Sequence, residues 1–160
     1  MRRITIVGLG LIGGSLGLAL KKALGSEIEI TGYARKAGVG RVALEKKAVD
    51  QTRGDLALSV KQAEMVIIAT PVLAIEDILK QIAAEVSKES VITDAASTKA
   101  QVLDWAEKYL PPGVSFIGGH PMAGTEKAGI EACDPELFGN HPFILIPGRI
   151  LKKEAMNWAA

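Results

Sequence analysis

Short aliphatic runs alternate with longer amphipathic segments along most of the chain. The aliphatic runs predict strands over residues 4–7, 28–34, 65–69, 90–93, 114–117 and 143–146. Helical spacing of apolar residues predicts helices over 11–24, 42–48, 56–63, 75–86 and 99–109, and a weaker one over 130–137. Regular alternation of this kind is typical of an α/β fold: a doubly wound, mostly parallel sheet with right-handed crossovers.

Composition agrees with that fold and excludes several kinds of partner. The 160 residues fit one domain; 48% are hydrophobic but only 4% aromatic, as expected for aliphatic strands buried on both faces. A net charge of +1 gives no indication of a nucleic-acid or membrane-surface partner, and no metal site is predicted. Because Cys133 is the only cysteine, no disulfide framework is expected and the cytoplasm is the default location.

The first predicted strand runs directly into a glycine fingerprint, Gly8-Leu9-Gly10-Leu11-Ile12-Gly13. In this pattern the first glycine permits a tight turn, the second lets a pyrophosphate approach, and the third allows close helix–strand contact. The N–H groups and the dipole at the helix start favour the diphosphate charge. We therefore predict a dinucleotide-binding domain of the Rossmann type; the alternative is a glycine-rich structural turn.

The end of the second predicted strand bears on which dinucleotide binds. An NAD-binding chain usually has Asp or Glu there, to accept from the ribose 2′-hydroxyl. Here the residues are Ala34, Arg35 and Lys36, and a guanidinium can instead bind a 2′-phosphate through paired hydrogen bonds. This favours NADP over NAD, unless Arg35 and Lys36 are merely solvated loop charges.

Two further strand ends are expected at the same crevice, since sheets of this type bind ligands beyond their carboxyl ends. Thr70-Pro71 follows the apolar strand 65–69, where a small residue would let the chain pass near the nicotinamide ribose. Ser97 follows the strand 90–93 and could present a hydroxyl to the site, cap the next helix, or both.

The segment from Gly118 to Glu126, Gly-Gly-His-Pro-Met-Ala-Gly-Thr-Glu, contains one of the two histidines. Flanking glycines and a proline predict that His120 lies in a rigid, polar turn. An imidazole titrates near neutral pH and is a competent general base, so His120 is a candidate catalytic residue. The alternative is a structural histidine in a turn.

These motifs together resemble one family. The fingerprint, the segment with Asp94, Ser97 and Lys99, and above all the histidine motif are similar to those of the prephenate and arogenate dehydrogenases of tyrosine biosynthesis, over residues 3–147. The resemblance implies an oxidative decarboxylation, with hydride transfer to nicotinamide and loss of carbon dioxide. It assigns His120 as the base, Ser97 as the residue that orients the imidazole and substrate, and Thr125 and Glu126 to the substrate pocket.

The chain departs from the family's pattern at its end. Family members continue into a helical C-terminal domain that forms a homodimer and supplies basic residues for the substrate carboxylates. Here we expect a dinucleotide-binding domain over 1–149 and only the start of a connecting helix over 150–160. Such a chain would bind cofactor but turn over substrate poorly.

Two other interpretations remain open. One is another NAD(P)-dependent enzyme on the same scaffold, such as a β-hydroxyacid dehydrogenase or a pyrroline-carboxylate reductase, although neither accounts for the His120 motif. The other is a non-catalytic nucleotide-sensing module that acts on a partner chain. The sequence does not distinguish prephenate from arogenate as the substrate.

Overall fold

The computed structural model of the chain describes residues 1–149 and Ala155, so most of the expected connecting helix lies outside the described residues. The strands are β1 Arg2–Val7, β2 Ile28–Tyr33, β3 Gln51–Arg53, β4 Met65–Ile68, β5 Val91–Asp94, β6 Ser115–Pro121 and β7 Phe143–Pro147. The α-helices are α1 Leu11–Leu24, α2 Ala37–Glu45, α3 Leu56–Val60, α4 Val72–Ile82 and α5 Ala100–Tyr109.

All seven strands form one sheet in the order β3-β2-β1-β4-β5-β6-β7. β1 to β6 are parallel, whereas β7 pairs with β6 in the antiparallel direction. The strand order reverses between β1 and β4, which creates a crevice at the carboxyl edge of the sheet. The prediction of a doubly wound, mostly parallel sheet is confirmed.

Helices cover both faces of this sheet, which explains the continuous apolar strands. Ile67 belongs to the core cluster with α1 and α2, whereas its neighbours Val66 and Ile68 belong to the cluster with α3, α4 and α5. Adjacent residues of a strand point to opposite faces, so every position of β4 needs an apolar side chain.

Two differences from the sequence prediction lie at the β3 edge. The strand Gln51–Arg53 was not predicted, because it is short and polar and pairs only with the end of β2. Helix α2 begins at Ala37, not at residue 42, although Gly38 and Gly40 disfavour helix. A Cβ at Gly40 would lie 3.3 Å from Thr52 Oγ1, so close packing on β3 explains a glycine within this helix.

The weak helical prediction over 130–137 is wrong apart from a single 3₁₀ turn, Ile130–Ala132. The chain then leaves helical geometry at Cys133, whose backbone is extended. None of the helices in the described residues is long and apolar enough to cross a membrane.

A glycine pair provides a test of the packing between α1 and the segment that connects α2 to β3. A Cβ at Gly17 would lie 2.2 Å from the Ala48 carbonyl oxygen, whereas a Cβ at Gly38 would meet nothing within 4 Å. We expect Gly17→Ala to lower the free energy of unfolding by about 1–3 kcal/mol through overpacking. The matched control, Gly38→Ala, should be neutral or stabilising by up to about 1 kcal/mol. Urea denaturation measures both; equal stability of the two variants would contradict the close contact.

Candidate functional site

The glycine fingerprint forms a tight turn from β1 into α1. Gly8 has φ of +99°, a conformation that other residues adopt only with strain. A Cβ at Gly13 would lie 2.0 Å from the Gly8 carbonyl oxygen, so the helix and the turn are in direct backbone contact. At Gly10, in contrast, a Cβ would meet nothing within 4 Å, and this side of the turn is open.

The start of α1 suits an anion. Gly10 is the N-cap residue, and no side chain caps the helix start. The first turn contains no acidic side chain, and its residues Leu11 and Ile12 are only partly buried. Backbone N–H groups without helical partners, together with the helix dipole, attract negative charge at this point.

Beside this helix start lies a cleft of about 560 Å³. Three predicted cofactor segments line it: the fingerprint turn (Gly8, Leu9, Gly10), the end of β2 (Ala34, Arg35, Lys36) and the end of β4 (Thr70, Pro71). Tyr33, Val39 and Ala69 complete the lining and were not predicted. Leu11, Ile12 and Gly13 belong to the adjoining helix and do not line this cleft.

Thr70, which lines this cleft, carries a buried polar group without a partner among the described residues. Its Oγ1 is buried, yet it has no hydrogen-bond partner among the described residues. A Cβ at Gly8 would lie 2.7 Å from the Thr70 methyl group, so Thr70 packs directly over the fingerprint turn. A buried hydroxyl without a partner is costly, and a ligand that hydrogen-bonds to it would remove that cost. The hydroxyl, the open Gly10 and the helix start together fit a dinucleotide.

Arg35 and Lys36 lie at the rim of the cleft and are exposed. No residue in the described ranges forms an ion pair with Arg35. The nearby Arg41 in α2, in contrast, is paired with Glu45 of the same helix at 2.9 Å. The Arg35 guanidinium is therefore available to a ligand phosphate.

The prediction that His120 lies in a turn is wrong. His120 lies in β6, which continues to Pro121. It pairs with Ile144 of β7, so the polar Gly-Gly-His-Pro segment forms a strand because a distant antiparallel strand supplies its hydrogen bonds. His120 is half-buried and lies near the carboxyl end of β6, at the same edge of the sheet as the fingerprint.

The two glycines before His120 permit close contacts, not a turn. A Cβ at Gly119 would lie 2.4 Å from the Asp94 carbonyl oxygen, and one at Gly118 would lie 3.0 Å from Cδ of Lys99. Both positions are buried. A larger residue at Gly119 would push β6 away from the end of β5, whereas one at Gly118 would displace the Lys99 side chain.

A buried ion pair joins these elements. The side chain of Asp94 is fully buried and is paired with Lys99, whose side chain is 10% exposed. Asp94 Oδ2 also accepts from the Ala96 N–H at 2.9 Å, and Oδ1 accepts from the Gly119 N–H at 3.2 Å. One carboxylate thus binds both the turn after β5 and the residue before His120.

The remaining predicted site residues are exposed. Ser97 lies in the turn after β5 and does not cap α5, which begins after Lys99 with no side-chain cap. Thr125 and Glu126 lie in the connection between β6 and β7, where Thr125 Oγ1 accepts from the Lys127 N–H at 3.1 Å.

Two residues with reactive side chains lie away from this chemistry. His141 is exposed, and its Nδ1 is 2.8 Å from the Gly139 carbonyl oxygen. Burial raises the pKa of the Cys133 thiol, which packs against Gly14 of α1. A thiol with a raised pKa is a poor nucleophile at neutral pH, so Cys133 is a packing residue.

Comparison with known proteins identifies the family. Residues 16–160 match the family model described as prephenate dehydrogenase, nucleotide-binding domain. The chain belongs to the prephenate dehydrogenase family. Membership confirms the resemblance drawn from the motifs, and it removes the alternative assignment to a β-hydroxyacid dehydrogenase or pyrroline-carboxylate reductase.

Individual members of the family show the same relationship. The chain is 40% identical to the prephenate dehydrogenase of Bacillus subtilis over 155 residues, which is 96% of this chain and 42% of that protein. A crystal structure of the A. aeolicus prephenate dehydrogenase, in complex with hydroxyphenyl propionate and NAD+, superimposes with a TM-score of 0.89 at 28% identity, covering 99% of this chain and 55% of that one.

The Synechocystis arogenate dehydrogenase has the same TM-score, 0.89, at 32% identity, covering 98% of this chain and 54% of that one. The chain therefore spans about two fifths of the length of the Bacillus subtilis relative and about half of the solved family structures.

Within this family fold, the role of Asp94 and Lys99 was missed from the sequence, although both belong to the motif that suggested the family. A signal was present: an aspartate ends a short strand that begins with Val91 and Ile92, and a lysine follows five positions later. A carboxylate at such a position needs a cation or several N–H donors, since burial without them is costly.

The unpaired hydroxyl of Thr70 allows a test of the cleft. Thr70→Val keeps the shape and removes the hydroxyl, so we expect the free chain to be no less stable, and nucleotide binding to weaken by about 1 kcal/mol. The matched control is Thr5→Val, because Thr5 Oγ1 donates to the Ser59 carbonyl at 2.6 Å. That variant should lose about 1 kcal/mol of stability and bind nucleotide normally. Thermal unfolding and fluorescence titration give both quantities; unchanged binding by Thr70→Val would exclude the hydroxyl from the ligand site.

Proposed function

We propose that this chain is the cofactor-binding part of an NAD(P)-dependent enzyme that oxidatively decarboxylates prephenate or arogenate. The observation that carries the proposal is the common location of the dinucleotide cleft, Ser97 and His120 at the carboxyl edge of one sheet. Ligands of doubly wound sheets bind at this edge. The names of the relatives in the family support the substrate class.

His120 acts as general base in this proposal. The substrate hydroxyl proton passes to the imidazole while the hydride on the same ring carbon leaves, which converts the alcohol to a carbonyl. The electron pair of the C–CO₂ bond then moves through the ring to that carbonyl oxygen and carbon dioxide departs. The resulting phenolate takes the proton back from the imidazolium of His120 and becomes a phenol. The nicotinamide, when bound, accepts the hydride. A positioned general base contributes about 10²–10⁴-fold in rate.

Ser97, Thr125 and Glu126 complete the substrate side. Ser97 hydrogen-bonds to the imidazole and the substrate, and Thr125 and Glu126 line the pocket, as the family resemblance implies. All three are exposed at or near the edge that carries His120, so a ligand can reach them.

On the cofactor side we propose NADP as the preferred nucleotide, with NAD as the alternative. The residues that would hold the dinucleotide are Gly8–Gly13, Ala34–Lys36 and Thr70–Pro71. Arg35 is exposed at the cleft, and the β2 end carries no carboxylate that would repel a 2′-phosphate.

We also propose that residues 1–149 form the dinucleotide-binding domain, that 150–160 begin a connecting helix, and that the whole enzyme is a cytoplasmic homodimer. The absence of a disulfide-forming pair of cysteines in the sequence supports the cytoplasm.

Paired titrations with NADPH and NADH test the cofactor proposal. Arg35→Ala should weaken NADPH binding by about 10- to 100-fold, as expected for loss of charge-assisted hydrogen bonds worth about 1.5–3 kcal/mol, and should leave NADH binding unchanged. Arg41→Ala, which removes a guanidinium already bound to Glu45, is the control and should alter neither. Equal loss for both nucleotides would show that Arg35 does not contact the 2′-phosphate; tighter binding of NADH by the unmodified chain would indicate NAD.

Replacement of His120, the proposed base, tests the reaction itself. The protein used is the longest natural form that contains this chain. With prephenate or arogenate and the preferred nucleotide, His120→Asn should lower kcat by about 10²–10⁴-fold. Nucleotide affinity should not change, because His120 does not line the cleft. His141→Asn is the control, since that histidine is exposed and bonded only within its own turn. Full activity of His120→Asn would refute the role of the histidine, and nucleotide binding without any turnover by the unmodified protein would favour the sensing module.

A further inference from the structure

The ladder between β5 and β6 ends one residue before Asp94, with the pair Thr93–Ile117. Beyond this pair the ladder stops: the chain after β5 turns towards Ser97, whereas β6 continues to His120, although Gly119 still lies against the Asp94 carbonyl oxygen. The side chain of Asp94 replaces the missing backbone pairing, because Oδ1 accepts from the Gly119 N–H at 3.2 Å. A side-chain carboxylate therefore supplies a hydrogen bond between the strands where the backbone ladder has ended.

The same carboxylate also sets the course of the turn after β5. Oδ2 accepts from the Ala96 N–H at 2.9 Å, one residue before Ser97, and is paired with Lys99. Every bond of this side chain is therefore directed at a residue that adjoins a candidate catalytic residue, or at the cation that neutralises it.

We propose that Asp94, neutralised by Lys99, is the positioning residue that fixes the turn of Ser97 relative to the strand of His120. This inference rests on the proposed function. Asp94 is fully buried and so acts through the backbone at Ala96 and Gly119, without touching substrate. The close approach at Gly118 and Gly119 is what allows the carboxylate and the lysine stem to reach β6.

Lys99 neutralises the buried carboxylate of Asp94. Its Nζ is bound to Asp94 and its side chain is 10% exposed, so the ammonium is occupied within the fold. A buried carboxylate without a cation is strongly disfavoured, which explains why the aspartate needs the lysine at this position.

The chain provides a matched control elsewhere in the sheet. Asp50 is paired with Lys21 at 2.8 Å and accepts from the Ile30 N–H at 2.7 Å, so it too joins a lysine to a strand. It is more exposed than Asp94, with 37% of its side chain accessible, and neither it nor its partners line the cleft. Asp50→Asn therefore removes the same kind of carboxylate–lysine pair at a position away from the reacting groups.

The experiment compares Asp94→Asn, Asp50→Asn and the double variant Asp94→Asn/Lys99→Met in the longest natural form of the protein, with kcat, KM, nucleotide Kd and Tm measured for each. An Asn oxygen can serve only one of the two backbone donors, so we expect kcat of Asp94→Asn to fall by about 10²-fold, with nucleotide Kd unchanged. The double variant removes the unpaired buried cation; its Tm should recover while its kcat stays low. Asp50→Asn should lower Tm but keep kcat within about twofold. The charge that it removes lies away from the site, so its loss does not displace the reacting groups.

Several outcomes would overturn the inference. Recovery of kcat together with Tm in the double variant would show that Asp94 only stabilises the fold. An unchanged kcat in Asp94→Asn, alongside a large loss of kcat in the double variant, would show that the lysine, not the carboxylate, is the group that the reaction needs. If Asp94→Asn does not fold, the double variant decides alone. Failure of the proposed function is recognised separately, because the unmodified protein would then lack turnover of prephenate and arogenate before any variant is compared.

Discussion

Direct backbone contact between α1 and the turn that precedes it is the constraint on which the rest of the structure depends. Without a side chain at Gly13, the helix lies against the Gly8 carbonyl, and the helix start is thereby fixed at the carboxyl edge of β1. At that edge the segments that follow β1 and β4 lead to opposite sides of the sheet, because the strand order reverses between these two strands. Because the N–H groups of a helix start attract anions, the packing requirement of the sheet and the binding of a diphosphate are met by the same few glycines.

A second set of glycines has a comparable effect on the other half of the edge. At Gly118 and Gly119 the absence of a side chain admits not a ligand but another part of the protein, the Asp94–Lys99 pair. In the proposed function the first set brings a backbone close to a cofactor, whereas the second set brings a buried charge close to a strand. At the second set the buried carboxylate has defined partners, so the positions of the groups nearby are restricted.

The sequence predicts this architecture well where local and global signals agree. The helix Leu11–Leu24 has the predicted bounds because its apolar spacing and its fingerprint indicate the same element. The strand character of His120 could not be predicted, since Gly-Gly-His-Pro has the composition of a turn and its partner, β7, lies more than 20 residues further along the chain. The proposed cofactor cleft is lined by three predicted segments. The contact between Asp94 and β6 could not be predicted, because it depends on the Gly119 N–H, which belongs to another strand.

The connection between β6 and β7 joins the two halves of the site mechanically. It begins directly after His120 and Pro121, carries the exposed Thr125 and Glu126, and is then attached to α1. The attachment is specific: the Asp134 N–H donates to the buried Ser15 hydroxyl at 2.9 Å, and a Cβ at Gly14 would lie 2.5 Å from the Ile130 side chain. Ser15 and Gly14 belong to the helix whose start faces the anion site. The segment that carries Thr125 and Glu126 is therefore anchored at one end by the strand of His120, the proposed base, and at the other by α1, the helix of the proposed cofactor site. This places a limit on how far these two parts can separate.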